Sequence, residues 1–418
     1  MKIKNEQIEL IYRPEQKNFS LRSVVGDSIF FEKAIFGVMW EDENGKKHES
    51  QVSDLDEVTV KELESMVIEV SGKHHTGWEL SLRVELRSDI AGIELQSSFK
   101  NNTGRSLKLI DLLLISGDFK KPSKSRGSFY VFENGWQSWS PSGIKPGISS
   151  SRIPRFLFLR DINLGSLRYR LSWLKPGIVS EMFSKLELTD YPLSLVIGAL
   201  ESRNGFTEVF IKNKKVRVTC QAEVSLDDSE QWVSDKAILF LFSKELSLEK
   251  YAELVALQAN LKKIPPPKKG WCSWYHHGPF INQRKILEEL NLAKELKKKI
   301  PLEVILIDGG WCRWGDWLDS WREKFPLGMG WLAEKISQEG FLPGIWLAPF
   351  TCQGSSTIFK CHPDWFIKDH RGKPISVRKV TASKLTEQLS GSILYGLDPT
   401  HPAVKDYIKE MIRVVVKE

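Results

Sequence analysis

The chain has 418 residues and a mass of 47.9 kDa, of which 41% of residues are hydrophobic and 27% charged. This composition is typical of a globular protein with two or three domains, and it excludes a disordered chain, a collagen and a long coiled coil. The net charge of +7 is too dilute over this length to predict nucleic-acid binding.

The first 243 residues have the pattern of short strands separated by turns. Between residues 78 and 86 apolar and polar side chains alternate, which is the period of a half-exposed antiparallel strand. Similar runs occur at 66–70, 107–115, 167–174, 193–200, 207–211, 215–221 and 237–243. These runs predict an N-terminal β-sandwich.

A helix and a proline-rich linker follow the strands. Residues 247–261 carry apolar side chains on one helical face, and Ile264 is followed by three consecutive prolines, which cannot continue a helix. We therefore predict two domains: residues 1–264, a β-sandwich with a terminal helix, and residues 265–418.

The second domain alternates strands and helices. Apolar strands are predicted at 270–275, 301–308 and 341–350, and amphipathic helices at 283–299, at 331–339 and from Pro402 onward. Three βα units in succession predict a parallel sheet, for which the (β/α)₈ TIM-type barrel is the commonest closed form.

The barrel predicted in this way is incomplete. A full barrel takes about 250 residues, whereas residues 270–418 supply only three strands. An open three-stranded parallel sheet exposes an edge that natural proteins cover or pair. We therefore expect the chain to be truncated as a catalytic unit, or to be completed by a second chain that supplies the remaining strands.

Several kinds of site are not expected. The five cysteines form no C-x-x-C pair, which favours a reducing, cytoplasmic location, and neither a signal peptide nor a membrane-spanning segment is recognisable. His276 and His277 are predicted to point apart at a strand end, and no H-x-x-x-H pattern or nearby acidic pair completes a site, so no metal is expected. Phosphate-binding and dinucleotide motifs are missing, so no cofactor is expected.

Tryptophan is the unusual feature of the composition. Nine of the 15 tryptophans lie between residues 270 and 365. In a barrel the functional residues follow the carboxyl ends of the strands, where this chain places Trp274, Tyr275, Asp308 and Trp346. Aromatic faces that stack on sugar C–H groups, beside a carboxylate that binds hydroxyls, favour a carbohydrate pocket. The alternative is that these indoles only pack the core.

A second tryptophan-rich segment lies in the predicted β domain. Glu133 to Pro141 holds Trp136 and Trp139 between a glycine and a proline. Such a loop places at least one indole at the surface. By itself, the segment is equally compatible with indoles that pack in the core and with indoles that contact a ligand.

Together these segments resemble glycoside hydrolase family 36, the α-galactosidases or melibiases. The resemblance rests on the order and spacing of Trp136-Gln137-Ser138-Trp139, Gly270-Trp271-Cys272-Ser273-Trp274-Tyr275-His276, Ile307-Asp308-Gly309-Gly310-Trp311, Gly315-Asp316-Trp317, Gly344-Ile345-Trp346-Leu347-Ala348-Pro349-Phe350 and His362-Pro363-Asp364-Trp365.

The resemblance implies a β-supersandwich followed by a (β/α)₈ barrel that releases terminal α-linked galactose from oligosaccharides with retention. Retention needs two carboxylates, a nucleophile and a general acid/base, and no metal. In the family both lie on later strands, so no catalytic residue is assigned within this chain. The resemblance assigns substrate binding to Trp139, Trp274, Tyr275, Asp308 and Trp346, and it implies that Trp139 reaches the same pocket from the β domain.

One position departs from the family pattern. The family has two adjacent aspartates that grip sugar hydroxyls, and here the second is Gly309. Loss of one such carboxylate should cost about 1–3 kcal/mol of sugar affinity. The expected ligand is therefore an α-galactoside or a related oligosaccharide. Two alternatives to a complete enzyme stay open: a non-catalytic carbohydrate-binding remnant, and the first half of a split glycosidase.

Overall fold

The computed structural model describes residues 1–24, 28–122, 125–136, 142–147, 177–261, 265–369, 371–379 and 393–417. These residues form two compact units, one before residue 262 and one after residue 264. The strand predicted at 167–174 lies outside the described residues.

The first unit is built of antiparallel strands. In chain order they are β1 (Lys2–Lys4), β2 (Ile8–Arg13), β3 (Asn18–Ser23), β4 (Ser28–Glu41), β5 (Lys47–Gln51), β6 (Asp56–Glu64), β7 (Val67–Lys73), β8 (Glu79–Leu86), β9 (Ala91–Lys100), β10 (Leu107–Phe119), β11 (Phe129–Glu133), β12 (Gly143–Pro146), β13 (Ile178–Glu181), β14 (Phe183–Leu188), β15 (Leu193–Ala199), β16 (Phe206–Lys212), β17 (Lys215–Leu226), β18 (Gln231–Val233) and β19 (Ala237–Ser243). A short 3₁₀ turn, Val52–Asp54, connects β5 to β6.

These strands form two sheets that share one core. Among the described residues one sheet has the order β1-β2-β3-β4-β10-β17-β16-β13, with β5 beside β4. The other has the order β12-β11-β14-β15-β19-β9-β8-β7-β6, with β18 beside β9. In β8 the side chains of Leu80, Leu82 and Val84 are buried and their neighbours are not. They pack with Leu10 and Leu21 of the opposite sheet, which confirms the predicted sandwich.

The helix α1 (Ser247–Gln258) belongs to this first unit. Its Tyr251 and Leu254 pack against Ile238 and Phe240 of β19. The Tyr251 hydroxyl donates a hydrogen bond of 2.5 Å to the carbonyl of Ala199, and burial raises the pKa of this phenol well above its usual value. The helix is therefore anchored on the outer face of one sheet.

His74 makes the stability of the first unit dependent on pH. Its ring stacks on the buried Trp78 at 4.3 Å, and burial, reinforced by the charge of His75, lowers its pKa below 6.5. As the pH falls through 6.5, His74 is protonated in the unfolded chain before it is protonated in the folded chain, and this favours unfolding. The contribution of His74 to the free energy of unfolding is therefore complete above about pH 7 and is lost on acidification.

His74→Phe keeps the ring stack but cannot be protonated. When the pH is lowered from about 7.5 to about 5.5, we expect its free energy of unfolding to fall less than that of the native chain. Urea unfolding followed by circular dichroism at both values measures the difference. The control is His75→Gln, an exposed neighbour, which should keep most of the native pH dependence. Identical pH dependence in His74→Phe and in the native chain would contradict the prediction.

The second unit contains six further strands and five helices among the described residues. In chain order they are β20 (Gly270–Cys272), α2 (Trp274–His277), α3 (Gln283–Lys297), β21 (Val304–Ile307), α4 (Gly328–Gln338), β22 (Leu342–Ile345), β23 (Thr351–Gln353), α5 (Thr357–Cys361), the 3₁₀ turn Pro363–Trp365, β24 (Ser376–Lys379), β25 (Ile393–Gly396) and α6 (Pro402–Lys417).

Strands β20, β21 and β22 form a parallel sheet covered by helices. The buried side chains of α3 are Ile286, Leu290 and Ala293, the stripe that the sequence predicts. They pack in one core with Ile305 and Ile307 of β21. This confirms three strands of parallel α/β structure after the sandwich.

All three predicted strands of the parallel sheet are shorter than expected, and the one at 301–308 is formed only by Val304–Ile307. The strand at 270–275 ends at Cys272, and residues 274–277 form the helical turn α2, closed by Gly278 at φ +52°. The strand at 341–350 ends at Ile345, and residues 351–353 pair instead with β25 in a separate antiparallel sheet, β23-β25-β24. Hydrophobic sequence alone did not reveal these breaks, because apolar residues continue past both strand ends.

None of the helices in the described ranges is both long and apolar enough to cross a membrane.

Candidate functional site

The carboxyl ends of the three parallel strands meet at one edge of the second unit. The register pairs Cys272 with Leu306, and Leu306 with Gly344. Residues 273, 308 and 346 therefore follow the three strand ends as neighbours. This is the edge where α/β barrels carry their functional groups.

Asp308 is held in place by the end of β20. Its backbone N–H donates to the hydroxyl of the buried Ser273 at 2.9 Å, and its Oδ1 accepts the Gly309 N–H at 2.6 Å. The Cys272 thiol donates to Oδ2 at 3.4 Å. Ser273 thus fixes the backbone of Asp308, and Gly309 and Cys272 orient its carboxylate. Because the side chain is only half-buried, the carboxylate can still accept hydrogen bonds from a ligand.

Cys272 stays protonated beside this carboxylate. Burial raises the pKa of its thiol, and the hydrogen bond and negative charge of Asp308 raise it further. Cys272 therefore acts here as a hydrogen-bond donor and not as a thiolate nucleophile.

Gly309 lies between two indoles. A Cβ atom built on it would be 3.6 Å from the ring of Trp274 and 3.6 Å from the ring of Trp346, which is ordinary van der Waals contact. The structure therefore brings together Trp274, Asp308 and Trp346, three of the five predicted substrate-binding residues. Trp346 directly follows β22, and its backbone N–H donates to the Ile307 carbonyl at 2.8 Å.

Of the other two predicted residues, only Tyr275 lies within the described residues, and it is not part of this group. Tyr275, on the turn α2, is 91% exposed, so its ring is not packed in a hydrophobic core. Trp139 lies outside the described residues, and its role stays a prediction. Its neighbour Trp136 is exposed, as expected for one indole of that loop, and its backbone N–H donates to Glu181 Oε2 at 2.6 Å.

Three other tryptophans of this region, Trp311, Trp314 and Trp317, pack against Trp346. Trp311 donates its indole N–H to the Trp346 carbonyl at 3.1 Å, and Trp314 packs edge-on against the Trp346 ring at 4.7 Å. Trp317 is 3% exposed and contacts Trp311, Trp314 and Trp346. The packing alternative is therefore correct for Trp311 and Trp317, whereas Trp274 is 40% exposed at the strand ends.

Lys324 is a positioning residue that sequence reasoning missed. Its ammonium donates to the carbonyl of Pro279 at 3.0 Å and to that of Gly310 at 3.1 Å, and it lies over the Trp321 ring. Burial lowers its pKa, and the nearby Lys285 adds to the effect. It joins the loops that follow β20 and β21. A lone lysine in a charged segment carries no sequence signal for this role.

The two histidines of α2 do not point apart as the sequence predicted. Because they lie on a helical turn and not on a strand end, both imidazoles face Glu289 of α3. These three side chains are the only group of three or more histidine, cysteine or acidic residues in the described ranges with the spacing of a metal site.

The site therefore combines a half-buried, pre-oriented acceptor with two indole faces. A sugar ring presents C–H patches, which stack on aromatic faces, and hydroxyls, which donate to carboxylates. Trp274, Trp346 and Asp308 offer complementary groups for both.

Comparison with known proteins matches part of the second unit to one family. Residues 280–418 match the family model described as Melibiase, so the resemblance of the motifs is confirmed over this segment. The α-galactosidase Mel36A of Lactobacillus acidophilus is 29% identical over 99 residues, which are 22% of this chain and 13% of that protein.

Solved structures show the same fold over most of the chain. The α-galactosidase of Thermus thermophilus, in complex with p-nitrophenyl α-D-galactopyranoside, has a TM-score of 0.55 at 22% identity and covers 86% of this chain and 61% of its own. The α-galactosidase of Lactobacillus brevis has a TM-score of 0.59 at 15% identity and covers 100% of this chain and 62% of its own. This chain thus spans about three-fifths of these related chains.

Proposed function

We propose that this chain, whose residues 280–418 match the Melibiase family, supplies the β-sandwich and the first three barrel strands of a family 36 α-galactosidase. The observation that carries the proposal is that Asp308 follows β21 directly before Gly309, which lies between the indoles of Trp274 and Trp346. The relatives named above are α-galactosidases, which are glycoside hydrolases.

In this proposal the chain binds the terminal galactose. The indoles of Trp274 and Trp346 stack on the apolar face of the sugar, and Asp308 accepts hydrogen bonds from its hydroxyls. The Cys272 thiol and the Gly309 N–H occupy the other lone pairs of Asp308. The carboxylate therefore meets the ligand in one orientation, which limits the entropy lost on binding.

Bond cleavage needs two more groups. A retaining glycosidase uses a carboxylate nucleophile and a carboxylic acid about 5–5.5 Å apart. We propose that both come from barrel strands outside residues 1–418, on a continuation of the chain or on a second chain. Among the described residues no fourth strand pairs with β22, whose Leu342 is exposed. That edge is where the added strand would bind.

A cytoplasmic location remains part of the proposal. The five cysteines are free thiols, and three of them are buried. Unpaired cysteines are typical of reducing compartments.

Gly309 offers a direct test of the sugar site. We expect Gly309→Asp to tighten galactose binding by about 5- to 150-fold, because an added carboxylate restores a buried hydroxyl partner worth about 1–3 kcal/mol. The space between the two indoles accepts a Cβ without a clash. Calorimetric titration of the full chain with galactose measures the affinity.

The matched control is Gly309→Ala, which adds the Cβ without the carboxylate and should not tighten binding. If neither the native chain nor Gly309→Asp responds to galactose, the strand-end group is not a galactose site in this chain, and the proposed function loses its main support.

A further inference from the structure

A second cluster of chemically active side chains lies between the turn α2 and the helix α3. His276 and His277 end this turn, and Glu289 projects from the second turn of α3. The His277 ring packs edge-on against Trp271 at 6.2 Å. The exposed fractions of the side chains are 11% for His277, 18% for Glu289 and 69% for His276. Two of the three are thus mostly buried, and the third closes the cluster on the solvent side.

Both imidazoles face the same carboxylate oxygen. Nε2 of His277 is 3.0 Å from Glu289 Oε1, and Nε2 of His276 is 3.8 Å from it. The three possible ligand atoms all lie within 4.8 Å of one another. Around a tetrahedral Zn²⁺ with bonds of about 2.0–2.1 Å, neighbouring ligand atoms are about 3.3 Å apart. Small side-chain rotations are therefore enough to bring all three atoms onto one ion.

In the described part of the chain, no lysine or arginine competes for the Glu289 carboxylate. Its hydrogen-bond and ion-pair partners there are the two imidazoles. The neighbouring Glu288 pairs with Arg284 instead. A mostly buried carboxylate with only imidazole partners keeps one negative charge available for a bound cation.

The donor set selects the kind of metal. Two imidazoles and one carboxylate suit Zn²⁺ and the neighbouring first-row divalent ions, whereas Ca²⁺ and Mg²⁺ prefer all-oxygen sites. Three protein ligands leave the fourth position of a tetrahedral ion for water.

We propose that His276, His277 and Glu289 form a binding site for a divalent transition-metal ion, with Zn²⁺ as the preferred ion. The ion joins the turn α2, which also carries Trp274 and Tyr275, to the helix α3. The proposal does not depend on the sugar site, because none of the three ligands belongs to that group.

The test is a Zn²⁺ titration of the full chain without a histidine tag, by calorimetry and by competition with a chromogenic chelator. We expect one ion per chain, bound more tightly than about 100 μM. Titration with Co²⁺ should give the intense visible absorption of a tetrahedral site. Lowering the pH should release the metal, because imidazole binds metals only when unprotonated.

His276→Gln is the informative variant, because the exposed side chain can be changed without disturbing the core. We expect it to weaken Zn²⁺ binding at least about tenfold and to leave the unfolding temperature of the metal-free chain unchanged. Glu289→Gln should have a similar effect on binding. The matched controls are His75→Gln, an exposed histidine of the first unit, and Glu288→Gln, the adjacent residue on α3. Both should bind as the native chain does.

Two results would overturn the proposal. One is a native chain that binds no Zn²⁺ in this range. The other is unchanged affinity and stoichiometry in both His276→Gln and Glu289→Gln, which would assign the bound ion to other surface residues.

Discussion

The 418-residue chain by itself is expected to hydrolyse a chromogenic α-galactoside no faster than buffer does. The proposed function assigns the nucleophile and the general acid/base to strands outside this chain. General acid–base catalysis alone contributes about 10²- to 10⁴-fold, and the covalent intermediate is lost with the nucleophile. Sugar binding by Trp274, Asp308 and Trp346 cannot replace either group. The measurement is release of p-nitrophenol by the purified chain over a long incubation.

The positive control supplies the strands that the proposed function places outside this chain. This control uses the part of a related α-galactosidase that follows the segment corresponding to α6. When that part is expressed together with this chain or fused to it, turnover should be restored if the chain is one half of a split enzyme. In that reconstituted form Asp308→Asn should reduce turnover. If the isolated chain shows turnover that persists through purification and disappears in Asp308→Asn, the catalytic groups lie within residues 1–418 and the assignment is wrong. A reconstituted form that binds galactose without turnover favours the non-catalytic remnant.

Replacement of Trp317 by alanine is expected to lower the free energy of unfolding by about 3–5 kcal/mol. Trp317 is 3% exposed, its ring contacts three other indoles, and its backbone N–H donates to the Tyr407 hydroxyl at 3.1 Å. Its removal leaves a cavity between rigid rings that cannot collapse into it. Urea unfolding of the full chain, followed by tryptophan fluorescence, measures the loss in the second unit.

Two variants separate packing from ligand binding. Trp317→Phe keeps most of the ring and removes an indole N–H that has no hydrogen-bond partner among the described residues, so it should cost clearly less than Trp317→Ala. Trp274→Ala should cost under about 1.5 kcal/mol, because the ring is 40% exposed, but it should weaken galactose binding. Equal stability losses in Trp274→Ala and Trp317→Ala would show that both indoles are core residues.

The sequence predicted the repetitive elements well. The alternation in β8 and the stripe of Ile286, Leu290 and Ala293 on α3 follow directly from which side chains are buried. These patterns are local: a period of two or of 3.6 residues needs one buried face, and any sheet or helix partner supplies it. For the same reason the parallel sheet was predictable from three strands that alternate with helices.

Strand ends were harder to predict. The apolar run from Gly270 to Tyr275 continues beyond Cys272, where the backbone turns into α2 because the Ser273 carbonyl accepts the His277 N–H at 2.9 Å. This turn changed the direction of both histidines. The prediction that they point apart was therefore wrong, and the cluster with Glu289 was not foreseen.

The sequence by itself determined the family resemblance, the sandwich followed by parallel βα units, and Asp308, Trp274 and Trp346 as candidates for the sugar site. These depend on residue types, order and local periodicity, which a single sequence contains. Only the tertiary structure decided that Cys272 and Ser273 orient Asp308, that Gly309 lies between two indoles, and which tryptophans are buried. Those facts depend on contacts between residues more than 30 positions apart, and such contacts are set by how strands and helices pack and not by the pattern along any one of them.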